Sequence, residues 1–311
     1  MKRRHCRAAA GKFAVAICCV WVIQQSCSEL SVRPVEAGMV RDQIGREVSL
    51  PDHPQRVVGL APSIIEIIFS LGREDRLQGA TQYSNFPPAA AALPVVGPYT
   101  HPDIERIAAL QPDLCIAIKD GNPQGLADRL EALQIPVYVV NPTNLEGVMS
   151  TIRDLGDLLD AKPRAEQLVA EMSARIERVK SRVAAIDKRP RVFFQIGIAP
   201  MVSVGAGALA NELIAIAGGE NVITAALPYP RISREQVLVA QPEVIIITSM
   251  TRGQDFEPVR EEWKQLSNLP AARDQRIFIL DSNLFDRPTY RLVEGLELLV
   301  RCLHPQLFEG P

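Results

Sequence analysis

One pair of segments limits the folds open to this chain more than any other feature. "PDIERIAALQPDLCIAIK" at 102–119 and "RISREQVLVAQPEVIIITS" at 231–249 carry the same parts in the same order. Glu105 falls on Glu235, and Gln111, Pro112 and Asp113 fall on Gln241, Pro242 and Glu243, all at one offset. Each segment reads as a short amphipathic helix, a turn and an apolar, β-branched strand. A helix–turn–strand unit written twice implies a duplicated α/β body, and so two lobes.

The flanking sequence agrees. "RVVGLA", "RLQGAT", "LPVVG", "DLCIAI" and "IPVYVV" predict strands between Arg56 and Val140. The intervening helices are "SIIEIIFSLG", capped by Ser63 and closed by Gly72, then "DIERIAAL" and "QGLADRLEAL". From Leu145 to Asp187 the period is helical, and Pro163 suits the first turn of a second, long helix. Its charged, amphipathic run "RAEQLVAEMSARIERVKSRVAAID" reads as a bridge. Alternation restarts at "RVFFQIG". The expected class is α/β: two Rossmann-like lobes with central parallel sheets, joined by a single long helix, with a ligand cleft between them. The boundaries are a leader at 1–37, an N-terminal lobe at 38–142, connecting helices at 143–189 and a C-terminal lobe at 190–311.

The leader differs in kind from the rest. Lys2, Arg3, Arg4, Arg7 and Lys12 precede the apolar run "FAVAICCVWVI", and no acidic residue occurs before Glu29. That is the pattern of a secretory signal, too short for a membrane span. Cleavage is expected after Ser28 or Ala37, and Cys27 offers an alternative lipid-anchoring point. Without those five basic residues, 29 Lys and Arg stand against 36 Asp and Glu, a net charge of about −7. Such a surface argues against a nucleic-acid partner. Four of the six cysteines belong to the leader, and Cys115 and Cys302 are expected as buried free thiols rather than a disulfide.

Loops at the carboxyl ends of the strands would wall the cleft. They hold Tyr83, Phe86, Tyr99, Tyr229, Phe285 and Tyr290, a set suited to a large flat ligand unless the rings fold back onto the lobes. His101, in "YTHPD", is either a solvated loop histidine or within reach of that cleft. "GAGALA" at 205–210 fits a dinucleotide-binding turn, but the acidic residue required about 20 positions later is missing from "AALPYP". No metal-ligand spacing and no nucleophile motif is legible, so catalysis and a bound cofactor are not expected.

"AP-S-x-x-E" at 61–66, "YSNFPP" at 83–88, "IERI" at 104–107, "QPDL" at 111–114, "GGEN" at 218–221 and "ISREQVL" at 232–238 together resemble one family. It is that of the periplasmic substrate-binding proteins of ABC importers whose lobes are joined by a rigid helix, and within it the cobalamin-binding branch. The likeness runs from about Arg56 to Leu303. It implies a periplasmic monomer that captures a corrinoid, above all cobalamin, and delivers it to an inner-membrane permease dimer with its ATPase subunits. A siderophore or haem carrier is the alternative within the class, and an exported enzyme on a duplicated scaffold the alternative outside it. In that family a glutamate on the tip of each lobe pairs with permease arginines, and Glu105 and Glu235 fall on those positions. Asp103 and Ser233 are plausible N-caps, so the helix dipole alone would favour each glutamate by roughly 0.3–1 kcal/mol. Their matched placement in two lobes is what favours docking. For the ligand, Tyr83 keeps a family aromatic, Tyr99 and Tyr229 replace tryptophans, and Ile118, Val202 and Leu284 replace further aromatics. Arg287 matches a polar cleft residue.

Overall fold

The computed structural model describes residues 37–248 and 256–308. The leader with Cys27, and residues 249–253 of the cleft loop "ITSMTRG", lie outside them. The described chain opens with a hairpin absent from the sequence reading: β1 (Ala37–Arg41) pairs antiparallel with β2 (Glu47–Pro51). Asp42 holds its turn by accepting from the Ile44 and Arg46 amides at 3.1 and 2.9 Å. Gly45 supplies the left-handed residue that the turn requires (φ +88°).

The first lobe follows as β3 (Val57–Gly59), α1 (Pro62–Ser70), β4 (Leu77–Ala80), α2 (Ile104–Ala109), β5 (Leu114–Ile118), α3 (Leu126–Glu131) and β6 (Val137–Val140). Two connecting helices come next, α4 (Leu145–Leu158) and α5 (Lys162–Val183). The second lobe is β7 (Arg191–Gly197), β8 (Val202–Ser203), α6 (Leu209–Ile216), β9 (Glu220–Asn221), α7 (Arg234–Ala240), β10 (Val244–Ile247), α8 (Glu257–Lys264), α9 (Pro270–Arg273), β11 (Ile277–Ile279) and α10 (Leu292–Leu303). Strand order is β4-β3-β5-β6 in the first sheet and β11-β10-β7 in the second, where β9 pairs parallel to β7 and β8 pairs antiparallel to it. Taken in chain order, each parallel set places its second strand beside its first, then its third and fourth on the other side. The duplication is therefore topological as well as sequential.

The repeated "QP-D/E" owes its form to capping. Gln111 and Gln241 both adopt left-handed backbone (φ +47° and +45°) where α2 and α7 end. An arginine at the entry to each lobe's first parallel strand then covers the freed carbonyls. Arg56 donates to Leu110 O at 2.6 Å and Arg191 to Ala240 O at 2.8 Å. The acid after the proline ties the same strand entry from its other side: Asp113 accepts from the Arg56 amide at 2.9 Å, Glu243 from the Arg191 amide at 3.0 Å.

Two details correct the sequence reading. Ser63 does not cap α1; the cap position is Ala61, Pro62 opens the first turn, and Ser63 is buried within the helix. "LPVVG" makes only one isolated bridge, Val95 to Ala80, because Gly97 turns the chain away with φ +98°.

Side chains alternate between two layers along each strand, as parallel sheets covered on both faces require. Val57, Leu114, Ile116, Tyr138 and Val140 face one way, Val58, Cys115, Val137 and Val139 the other. In the second sheet Val192, Phe194, Val244 and Ile246 face inward and Phe193, Ile245 and Ile247 outward. The inward sets of both sheets join α4, α5 and α10 in a single continuous core. Glu212 of α6 adds a polar tie, accepting from the Leu145 amide at the start of α4 at 2.8 Å. Cys115 and Cys302 are buried free thiols, their pKa values pushed up to about 12 and about 11 chiefly by burial.

Asp113→Ala and Glu243→Ala should each cost about 1 kcal/mol by stripping a strand entry of its acceptor, and the two losses should add. Urea denaturation of the single and double variants measures both. A double variant no weaker than either single would mean that the two capping units do not act separately.

Candidate ligand cleft and docking surface

A carboxylate in the middle of "SIIEIIF" needs a partner, since an unpaired buried charge is costly. Glu66 lies on α1, 1% exposed, and its partners come from the other lobe. The Arg287 guanidinium forms a buried ion pair with Oε1, Thr289 Oγ1 donates to Oε2 at 3.4 Å, and Arg291 stands 3.7 Å from Oε2. Burial raises the Glu66 pKa, and the two arginines only partly offset it. Arg291 also covers the Phe86 ring, 3.8 Å from its centroid.

Arg287 does further work. Its Nη2 donates to Tyr83 O at 3.0 Å and to Asn85 Oδ1 at 3.1 Å. Tyr83 holds a left-handed backbone (φ +72°), a conformation costing about 1–3 kcal/mol for such a residue. The arginine of one lobe thus fixes the carbonyl of the strained tyrosine on the other. At 6% exposure and with these partners, Arg287 is part of the joint between lobes rather than an open polar group.

Tyr83 presents its ring to solvent, 49% exposed. Tyr99 is half-buried, and its ring packs so closely on Gly121 that a Cβ there would lie 2.4 Å from it. Asn122 secures the same loop, donating to Tyr99 O at 2.7 Å and Leu60 O at 2.9 Å while accepting from the Ile118 amide. Tyr229 is 51% exposed on the opposite lobe. Lost contact with bulk water, then the carboxylates of Asp120 and Asp286, then Tyr99, push its hydroxyl up to about 12. Asp120 and Tyr99 belong to the first lobe and Asp286 to the second, so groups of both lobes lie near the Tyr229 hydroxyl.

Other predicted residues are not brought there. Ile118 is 7% exposed and packs into the core at the end of β5. Phe285 is buried edge-on against Phe194, ring centroids 5.5 Å apart, and Tyr290 packs against the core. Val202 and Leu284 are half-buried. His101 is exposed, with Thr100 Oγ1 3.2 Å from its Nδ1. The glycines of "GAGALA" serve their own loop: a Cβ on Gly205 would lie 2.0 Å from Leu227 O, and the Gly205 and Ala206 amides donate to Pro228 and Ala225. Those two amides are thereby spent on the loop itself. Among the described residues no group of three His, Cys, Asp or Glu side chains is placed to hold a metal.

Glu105 and Glu235 both lie exposed in the first turn of their helices. Asp103 caps α2, and Ser233 with Gln236 forms a capping box on α7. Hydrogen bonding from Ser233 and from its own amide holds the Glu235 carboxyl below the usual range. The two glutamates stand at matching places in the duplicated unit.

Residues 57–284 match the family described as periplasmic binding protein. The chain belongs to that family. It is 33% identical to the vitamin B12-binding protein of Vibrio campbellii over 243 residues, 78% of this chain and 86% of that one. Among solved structures it resembles the vitamin B12-binding protein BtuF of Vibrio cholerae (TM-score 0.71, 26% identity, 83% of this chain and 99% of that one). It also resembles a periplasmic heme-binding protein from Pseudomonas aeruginosa (TM-score 0.74, 28% identity, 81% and 93%). Periplasmic binding proteins of this two-lobed type are substrate-binding components of transporters.

Asn122, Asp120 and Asp286 had no role in the sequence reading, and Glu66 entered it only as the last residue of the motif at 61–66. Only Glu66 had left a signal, as a lone charge in an apolar helix.

Glu66→Ala should destabilise the protein by about 3–5 kcal/mol, because it strands a buried guanidinium. Pairing it with Arg287→Met should recover most of that loss in chemical denaturation. No recovery would mean that the two groups are not energetically coupled.

Proposed function

We propose that the protein is the periplasmic substrate-binding component of an ABC importer, that its ligand is cobalamin, and that the ligand sits between Tyr99 and Tyr229 with Tyr83 at the rim. The observation that carries this reading is that exposed Tyr229 of the second lobe lies near enough to Tyr99 and Asp120 of the first to be influenced by both. Tyrosine rings offer flat apolar area, and a hydroxyl whose pKa is raised stays protonated at neutral pH and donates to amide oxygens such as those around a corrin. Haem, the cargo of related carriers, brings carboxylates instead. Asp120 and Asp286 beside Tyr229 meet those with like charge, and Arg287 is already neutralised by Glu66.

Ile118 drops out of the proposed lining because it is core, whereas Val202 and Leu284 stay as apolar flanks. Arg287 acts through the Tyr83 backbone it holds. No cofactor is required, and the leader with Cys27 fits export to the periplasm, with or without a lipid anchor. The protein acts as a monomer toward a two-fold permease.

Calorimetric titration should give saturable one-to-one binding of cyanocobalamin and none, or far weaker binding, of haem and a ferric hydroxamate. Tyr99→Ala and Tyr229→Ala should each weaken cobalamin about tenfold or more, from lost ring burial. Haem binding alone would transfer the cleft to the second cargo class. Glu105→Ala with Glu235→Ala should leave that affinity unchanged and abolish most uptake in a transport assay, since exposed charges set encounter and register with a partner. Reduced ligand affinity in the double variant would contradict the docking role.

A further inference from the structure

Away from the cleft, α5 and α10 lie side by side, joined where Arg175 forks onto Glu297 at 2.9 and 2.8 Å. Beside that fork runs a groove of about 240 Å³. Buried Val179 and Val300 form its floor, and Arg178, Arg182, Arg301 and Phe308 its walls. The Arg182 and Arg301 guanidiniums stand over the Phe308 ring, 5.2 and 5.1 Å from its centroid.

Glu297 lines the groove as well, so three arginines there face a single carboxylate that Arg175 already holds. Among the described residues Arg178, Arg182 and Arg301, all exposed, form no ion pair or hydrogen bond. Nearby acids are already engaged. Glu297 is held by Arg175, with Arg178 and Arg301 lowering its pKa further. Glu177 pairs with Lys180 at 2.7 Å, and Glu294 stands 3.7 Å from Arg291. Arg178 and Arg182 are four residues apart on one helix face, where like charges repel. Three unpaired guanidiniums at one spot run against the acidic balance of the whole chain.

We propose that this groove binds a phosphate group. Guanidinium forks match phosphate oxygens in geometry and charge. Three of them around a small groove, with Glu297 the one carboxylate among its described lining residues, leave positive charge in excess that a dianion would satisfy. The valine floor and the Phe308 face accept an apolar portion attached to it. The group could belong to a soluble phosphate or to a lipid headgroup at the membrane where a binding protein delivers its cargo; the recognition chemistry is the same. This inference stands on the α5–α10 groove and is independent of what fills the cleft.

The test compares the unaltered protein with the Arg178→Gln, Arg182→Gln, Arg301→Gln triple variant. Inorganic phosphate is titrated calorimetrically at low ionic strength. In parallel, the protein is sedimented with phosphatidylcholine vesicles that contain or lack phosphatidylglycerol. Circular dichroism and the urea midpoint confirm that the variant is folded. The unaltered protein should bind phosphate saturably, with about tenfold weaker affinity for each arginine removed, and the triple variant should not saturate. Sedimentation with phosphatidylglycerol vesicles by the unaltered protein only, without a phosphate isotherm, would assign the groove to a lipid headgroup. Identical behaviour of the two proteins in both arms would overturn the proposal.

Discussion

A carboxylate and a guanidinium that have both lost their water must answer each other, and in this protein Glu66 and Arg287 do so from different lobes. Such a pair does not necessarily add stability over an apolar contact of the same shape, because the cost of drying both charges is large. What it adds is specificity of approach. Only one arrangement of the lobes brings Arg287, Thr289 and Arg291 onto Glu66 while leaving Arg287 free to hold the Tyr83 carbonyl. The continuous core through α4, α5 and α10 and the Glu212 tie to Leu145 act in the same sense. These ties join the lobes at their base, away from the rim where Tyr83, Tyr99 and Tyr229 stand.

That division between a fixed base and an open rim is what carrying a large ligand requires. The rim side chains are rings on loops, and the loops themselves are pinned: Tyr83 by Arg287, Tyr99 by Asn122 and by the absence of a side chain at Gly121. Pre-positioned aromatic faces lose little entropy on binding. The duplicated outer helices offer the other surface, with a glutamate in the same turn of each. On the proposed reading, ligand and partner are met at different places on the molecule, so each can be altered without the other.

Much of this was legible because duplication leaves a register. Helix caps at Asp103 and Ser233, the apolar strands after them, the long bridge opening at Pro163 and the two lobes all follow from local pattern. Positions decided by tertiary contact were less readable. Ile118 and Phe285 sit in segments that look like cleft loops, yet a strand's last inward residue and a ring facing Phe194 belong to the core. Ser63 has the chemistry of a cap, but Pro62 before it had already begun the helix. The hairpin of β1 and β2 pairs with itself and carries no echo elsewhere in the chain. Glu66 needed a partner more than two hundred residues away, which no local pattern can name.

A crystal structure of the protein with cyanocobalamin bound tests the central claim most directly. The expected result is a corrin lodged between Tyr99 and Tyr229, within hydrogen-bond reach of the Tyr229 hydroxyl, with Arg287 still on Glu66 and on the Tyr83 carbonyl. A ligand seated elsewhere, or Arg287 swung away from Glu66 to meet it, would contradict it.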